Sequence, residues 1–89
     1  MANHKSAVKQ NRQSLRRRDR NRQERSRMRT AVKNLRKVLE QGDAATARTL
    51  LPGTLSLIDR AAKHGAIHTG TADRYKSRLS VALNRAAAG

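Results

Sequence analysis

The chain has 89 residues, of which 21 are Lys or Arg and six are Asp or Glu, for a formal charge of +15. It contains no Cys, Phe or Trp and a single tyrosine, Tyr75. These figures exclude disulfides and thiolate metal ligands, leave no aromatic platform for stacking successive bases, and allow one domain with a small core. No apolar run approaches the roughly 18 residues of a membrane span. The N-terminal stretch lacks the apolar centre of a secretory signal, and Met1-Ala2 is not a myristoylation start. The expectation is a cytoplasmic protein held in a complex, with no membrane partner.

The predicted elements begin with a helix from about Ser6 to Gln41, free of Pro and Gly and rich in Arg, Gln, Ala and Leu. Its C-terminal half carries an apolar stripe of Met28, Ala31, Val32, Leu35, Val38 and Leu39 at three- and four-residue intervals. The N-terminal half has only Val8 and Leu15 as large apolar residues, so it projects as a basic arm. A helix of that length measures roughly 50 Å at 1.5 Å per residue. Asp19 and Glu24 are expected to pair with basic neighbours one turn away, each relieving a few tenths of a kcal/mol. That is too little to hold the arm helical alone, and the arm is expected to order on binding.

Gly42-Asp43 ends this helix and caps the next, from about Ala44 to His64, with Ala47, Leu50, Leu51, Leu55, Ile58 and Ala62 on its apolar side. Pro52-Gly53 inside it predicts a kink, or else two shorter helices. Gly65 closes the second helix. Thr69 or Thr71 is expected to cap a third, from about Ala72 to Ala86, whose core stripe is Ala72, Tyr75, Leu79, Ala82, Leu83 and Ala86. Arg74, Arg78 and Arg85 lie together beside that stripe. Short connections make antiparallel neighbours, so the fold class is all-α: a three-helix bundle with a long, basic, projecting N-terminal helix. Residues 1–89 form a single domain, with 1–27 as the arm and 28–86 as the bundle.

The charge points to function. Fourteen of the 21 basic residues fall between Lys5 and Lys37, opposed only by Asp19 and Glu24. The run comprises Lys5, Lys9, Arg12, Arg16, Arg17, Arg18, Arg20, Arg22, Arg25, Arg27, Arg29, Lys33, Arg36 and Lys37. A merely solvated helix face mixes both signs, whereas this one is basic around its whole circumference. It calls for a polyanion, and the Arg excess suits bidentate phosphate contacts. With six to ten phosphate contacts, affinity falls by roughly three to five orders of magnitude between 50 and 200 mM salt.

Other chemistry is weakly represented. His64 and His68 are four apart, but Gly65 interrupts the helix and no third ligand is evident, so no metal site is expected. Ser14, Ser26 and Ser77 have no paired base, and there is neither a Gly-rich phosphate loop nor a carboxylate dyad. The reading is not an enzyme, with no cofactor and no small-molecule substrate. Tyr75 belongs to the apolar stripe and is assigned to the core ahead of base stacking. Asp59-Arg60 is expected to brace the bundle.

In order along the chain stand Met-Ala-Asn-x-Lys-Ser-Ala (Met1 to Ala7), Ser26-x-Met28-Arg29-Thr30, Gly42-Asp43, Ile58-Asp59-Arg60, Gly65-x-Ile67-His68, Ala72-x-Arg74 and Ser77-x-Leu79. On this ordered set the sequence resembles the family of bacterial small-subunit ribosomal protein number twenty over nearly its full length. The resemblance implies a three-helix protein bound directly to small-subunit ribosomal RNA, helping RNA helices fold and pack during assembly, with few or no protein neighbours required. By matching position it implies RNA contacts at Asn3, Lys5 and Ser6, at Ser26, Arg29 and Thr30, and at His68, Arg74, Lys76 and Ser77. Charge density adds Lys9, Arg12, Arg16, Arg17, Arg18, Arg22, Arg25, Lys33 and Arg78 to the expected rRNA-binding surface. Compared with the family pattern the arm is richer in Arg and includes Asp19.

The alternative is a basic helical DNA-binding or nucleoid-architectural protein. Asn11-Arg12 and Asn21-Arg22 in an Arg-rich helix superficially suit a zipper-type basic region, but the leucine pattern stops at Gly42 after Leu35 and Leu39. An organellar transit peptide over residues 1 to about 30 would cut into the stripe that starts at Met28. A membrane-surface helix would need a Trp, Phe or Leu face that the arm lacks.

Overall fold

The computed structural model describes the backbone of residues 2–88 and the side chains of residues 8–88. Three helices follow one another: α1 (Ala2–Glu40), α2 (Ala44–Lys63) and α3 (Thr69–Ala88). The chain is a rod with extents of 68 × 19 × 15 Å. Most of that length is α1, whose 39 residues span about 58 Å. Both α1 and α3 pack on α2, and they meet each other only lightly.

Both reversals use the same device. At the end of α1, Gly42 adopts φ +77°, its N–H donates to Leu39 O, and Asp43 N–H donates to Val38 O. At the end of α2, Gly65 adopts φ +74°, with Gly65 N–H to Ala62 O and Ala66 N–H to Ala61 O. This left-handed closure satisfies carbonyls that a helix end leaves free, and it favours glycine at the turning position. Asp43 then caps α2: its Oδ1 accepts from Thr46 N–H at 3.0 Å and its Oδ2 from the Thr46 hydroxyl at 2.6 Å. These bonds favour the ionised form and hold the carboxyl below the ordinary aspartate range.

The core is made by Met28, Val32 and Leu35 of α1, Ala47, Ile58 and Ala61 of α2, Ala66 of the link, and Ala72, Leu79 and Leu83 of α3. Tyr75 is half-buried and packs against this cluster. On α2 the buried row differs from the expected one. Leu50 is exposed, while Thr54 and Ala61 are buried. Thr54 can be buried because its hydroxyl donates to Leu50 O at 3.0 Å, so its polar group has a partner within its own helix. Pro52 does not break α2, which is a single helix of 20 residues, so of the two expectations the break into shorter helices is the one that fails.

α3 starts earlier than expected and with a different cap. It begins at Thr69, and the cap is His68, whose Nδ1 accepts from Gly70 N–H at 3.0 Å. The backbone carbonyl of His68 accepts from Ala72 N–H at 3.0 Å, closing the first turn. Accepting at Nδ1 places the ring proton on Nε2. Neither threonine caps the helix, because both lie inside it.

Candidate nucleic-acid interface

Residues 8–20 of α1 are all exposed, including Val8 and Leu15, and among the described side chains the first buried one on the helix is Glu24. Lys9, Arg12, Arg16, Arg17, Arg18 and Arg22 therefore stand free in solvent around the arm, as the sequence predicts. Asn3, Lys5 and Ser6, also expected to touch RNA, lie outside the described side chains.

The root of the arm is tied to the α2–α3 link by three side chains. Glu24 Oε1 lies 2.5 Å from His64 Nδ1. Arg25 donates from Nη1 to Ala66 O at 3.2 Å, and Arg20 from Nη2 to His64 O at 3.4 Å. Arg20 thus satisfies a carbonyl at the C-terminal end of α2, where a helix dipole favours positive charge, and Arg25 one in the link that follows. Among the described residues, neither Asp19 nor Glu24 forms the expected ion pair with a basic neighbour on α1; Glu24 turns to His64 instead. Arg25 is partly buried by its bond to the link and is a less open cation than the residues before it.

Beyond this root the helices frame two sets of grooves. Ser26 and Thr30 line shallow hollows on the α2 side of α1, together with Arg27, Asn34 and Leu57. On the other side, the light packing of α1 against α3 leaves an open cleft, seen as two grooves of about 640 Å³ and 330 Å³ that share Arg36 and Tyr75. Arg29 and Lys33 line the groove on the α1 side and Arg74 and Arg78 the adjoining groove on the α3 side, so four expected contact residues, distant in sequence, flank the shared Arg36 and Tyr75. Arg36 and Lys37, which belong to the basic run without being singled out as contacts, and Tyr75, assigned to the core, also line the cleft. The guanidinium carbon of Arg36 sits 5.8 Å from the Tyr75 ring centroid, a cation–π arrangement at the place where the two grooves join.

Three remaining candidates occupy other positions. His68 is exposed and serves as the α3 cap described above. Ser77 is exposed outside the cleft. Lys76 donates from Nζ to Asp59 Oδ1 of α2 at 2.9 Å, with Asp73 at 4.0 Å, so Asp59 braces α2 to α3. The hydrogen bond to Asp59, then its charge, raises Lys76 above the ordinary lysine value. Lys76 is therefore engaged within the protein, unlike Arg74 and Arg78, which form no ion pair among the described residues.

Among the described residues no three His, Asp or Glu side chains gather as a metal-ligand set, and no helix is long and apolar enough to cross a membrane. The fold and its surface define an all-α basic protein organised around exposed cations. A sequence model of the family described as Ribosomal protein S20 matches residues 2–84, and the chain belongs to that family. It is similar to the small ribosomal subunit protein bS20 of Koribacter versatilis, 51% identical over 80 residues that cover 90% of each chain. The protein of the same description from Solidesulfovibrio magneticus is 49% identical over 97% of both chains. That from Nitratidesulfovibrio vulgaris is 45% identical over 98% of this chain and 100% of its own. Membership makes this chain a structural, non-enzymatic ribosomal protein.

Proposed function

We propose that this protein is a component of the small ribosomal subunit in the cytoplasm that binds small-subunit rRNA directly and stabilises its folding during assembly. The observation that carries the reading is the exposed run of residues 8–20, where cations surround the helix and no element of the protein covers them. Such a rod lowers the repulsion between RNA helices brought close together, because each phosphate it neutralises releases a condensed counterion. The bundle, tied to the arm root through Glu24, Arg20 and Arg25, sets the direction in which the rod points. The arm of residues 1–27 and the bundle of residues 28–86 then act as one rRNA-binding domain that requires few or no protein neighbours. Specificity comes from RNA shape, since A-form grooves offer side chains few base edges.

The test is competition between structured small-subunit rRNA and duplex DNA in a filter-binding assay, combined with chemical footprinting. The expected result is a preference for the rRNA and protection confined to a few helices distant in sequence. Preference for DNA, or uniform weak protection along the transcript, would overturn the reading.

A further inference from the structure

The cleft between α1 and α3 differs from the arm in kind. The arm is a convex rod, whereas the cleft is concave and charged on both walls. Arg29, Lys33 and Lys37 repeat every four residues along α1, about 6 Å of rise per step, and Arg74 and Arg78 repeat in the same way on α3. Glu40 is the one acid in the lining, at the cleft's end, and none of these five cations is in an ion pair among the described residues. Like charges lining two adjoining grooves repel, so an occupant carrying successive negative charges is favoured there. Where the two grooves join lies the protein's single tyrosine, half-buried, with the Arg36 guanidinium over its ring.

We infer that this cleft holds a short unpaired segment of RNA, with one base stacked against the Tyr75–Arg36 pair and the flanking phosphates on the two basic walls; the inference rests on the rRNA-binding reading above. Bases of loops and bulges can splay out and stack on aromatic or guanidinium planes, which paired bases cannot. A single ring is too little for a run of bases but sufficient for one. The volumes of the two grooves lie in the range that small ligands fill. An intact duplex resting on the cleft rim would reach the arginines and leave the half-buried ring untouched. The charges therefore select a nucleic-acid strand, and the half-buried ring between them selects an unstacked nucleotide.

The test uses the full chain and small-subunit rRNA. Base-specific footprinting is compared for the wild type, Tyr75→Phe, Tyr75→Leu, Arg36→Gln and the double variant Arg74→Gln/Arg78→Gln. The expected result is one unpaired nucleotide protected by wild type and Tyr75→Phe but exposed by Tyr75→Leu, with affinity about tenfold weaker and an unchanged salt slope, because stacking carries no charge. The double variant lowers the salt slope by about one to two, one step for each phosphate no longer neutralised. Should Tyr75→Leu lose helix by circular dichroism, Arg36→Gln takes its place, since Arg36 is exposed and expected to release the same nucleotide. Identical protection in wild type, Tyr75→Leu and Arg36→Gln would overturn the inference, as would protection near the cleft confined to paired nucleotides. A wild-type protein that ignores the rRNA altogether would overturn the underlying reading itself. Wild-type footprints on arm-contacted helices without cleft-dependent protection separate the two failures.

Discussion

Glu24 Oε1 and His64 Nδ1 lie 2.5 Å apart, joining the root of the arm to the residue that ends α2. Glu24 is the first buried side chain among those described on α1, and its second oxygen, Oε2, is buried without a protein partner. The carboxylate accepts, so Nδ1 of His64 carries the proton in this pair. Removing the histidine leaves a buried acceptor with nothing to bond. His64→Ala is expected to destabilise the protein by about 1–3 kcal/mol, towards the lower end because His64 is partly exposed. Glu24→Leu, which removes the buried charge together with its need for a partner, is expected to be close to neutral or stabilising. Urea denaturation of the two single variants and the double variant checks this: the cost of losing His64 should largely vanish once Glu24 is Leu.

Much of the fold was legible because local chemistry dictates it. Gly42 and Gly65 marked the two reversals, and both take the positive φ that a helix-terminating turn requires. The stripe from Met28 to Leu39 placed the core face of α1, with Met28, Val32 and Leu35 deepest. On α2 a hydrophobicity pattern preferred Leu50 to Thr54, since it does not register that a threonine hydroxyl can be satisfied by the carbonyl one turn back. The Glu24–His64 pair joins residues forty positions apart, and no periodicity announces such a pairing. The same applies to the cleft. The cations of α1 and α3 were readable one by one, but their convergence around Tyr75 depends on how lightly those two helices meet.

His68 illustrates how a residue expected to contact RNA can have a structural role as well. Its ring accepts from Gly70 N–H and its carbonyl from Ala72 N–H, so it fixes the first turn of α3. His68→Ala is expected to cost about 1 kcal/mol, as loss of a helix cap does, whereas His68→Asn should restore most of it. Amide hydrogen exchange supplies the local readout. Gly70 should exchange faster in the alanine variant, while amides in the middle of α3 change only with global stability. An unchanged Gly70 rate would remove the capping role.

Two neighbouring cations on α3 should behave differently. Lys76 is bonded to Asp59, while Arg74 faces the open cleft. Lys76→Gln is therefore expected to leave the salt slope of rRNA binding almost unchanged, and Arg74→Gln to reduce it by about one. The ion pair also has a pH signature. Asp59 raises Lys76 in the folded protein, so the pair's contribution is fully present below the unfolded lysine's pKa. It disappears as pH rises through the folded value. Thermal melts at alkaline pH should thus show a loss in the wild type that is smaller in Asp59→Asn; equal losses would separate Lys76 from Asp59.

The arm and bundle should also be separable. The described side chains from Val8 to Asp19 are exposed and make no hydrogen bond or ion pair to the bundle, whereas Arg20, Glu24 and Arg25 do. Deleting residues 1–19 is therefore expected to leave the denaturation midpoint of the bundle nearly unchanged. The same deletion removes six cations, Lys5, Lys9, Arg12, Arg16, Arg17 and Arg18. Each phosphate left without its cation takes about 0.7–0.9 from the salt slope, so a drop of roughly four to five is expected if all six engage RNA. Helix content supplies a second measurement. Mutual repulsion opposes the arm helix and no tertiary packing supports it, so far-UV circular dichroism of the full chain should gain helix when rRNA is added, and the truncated chain should not. A truncated protein that binds with the full-length salt slope would show that the arm is not where phosphates are neutralised, leaving the cleft and the bundle faces to account for binding.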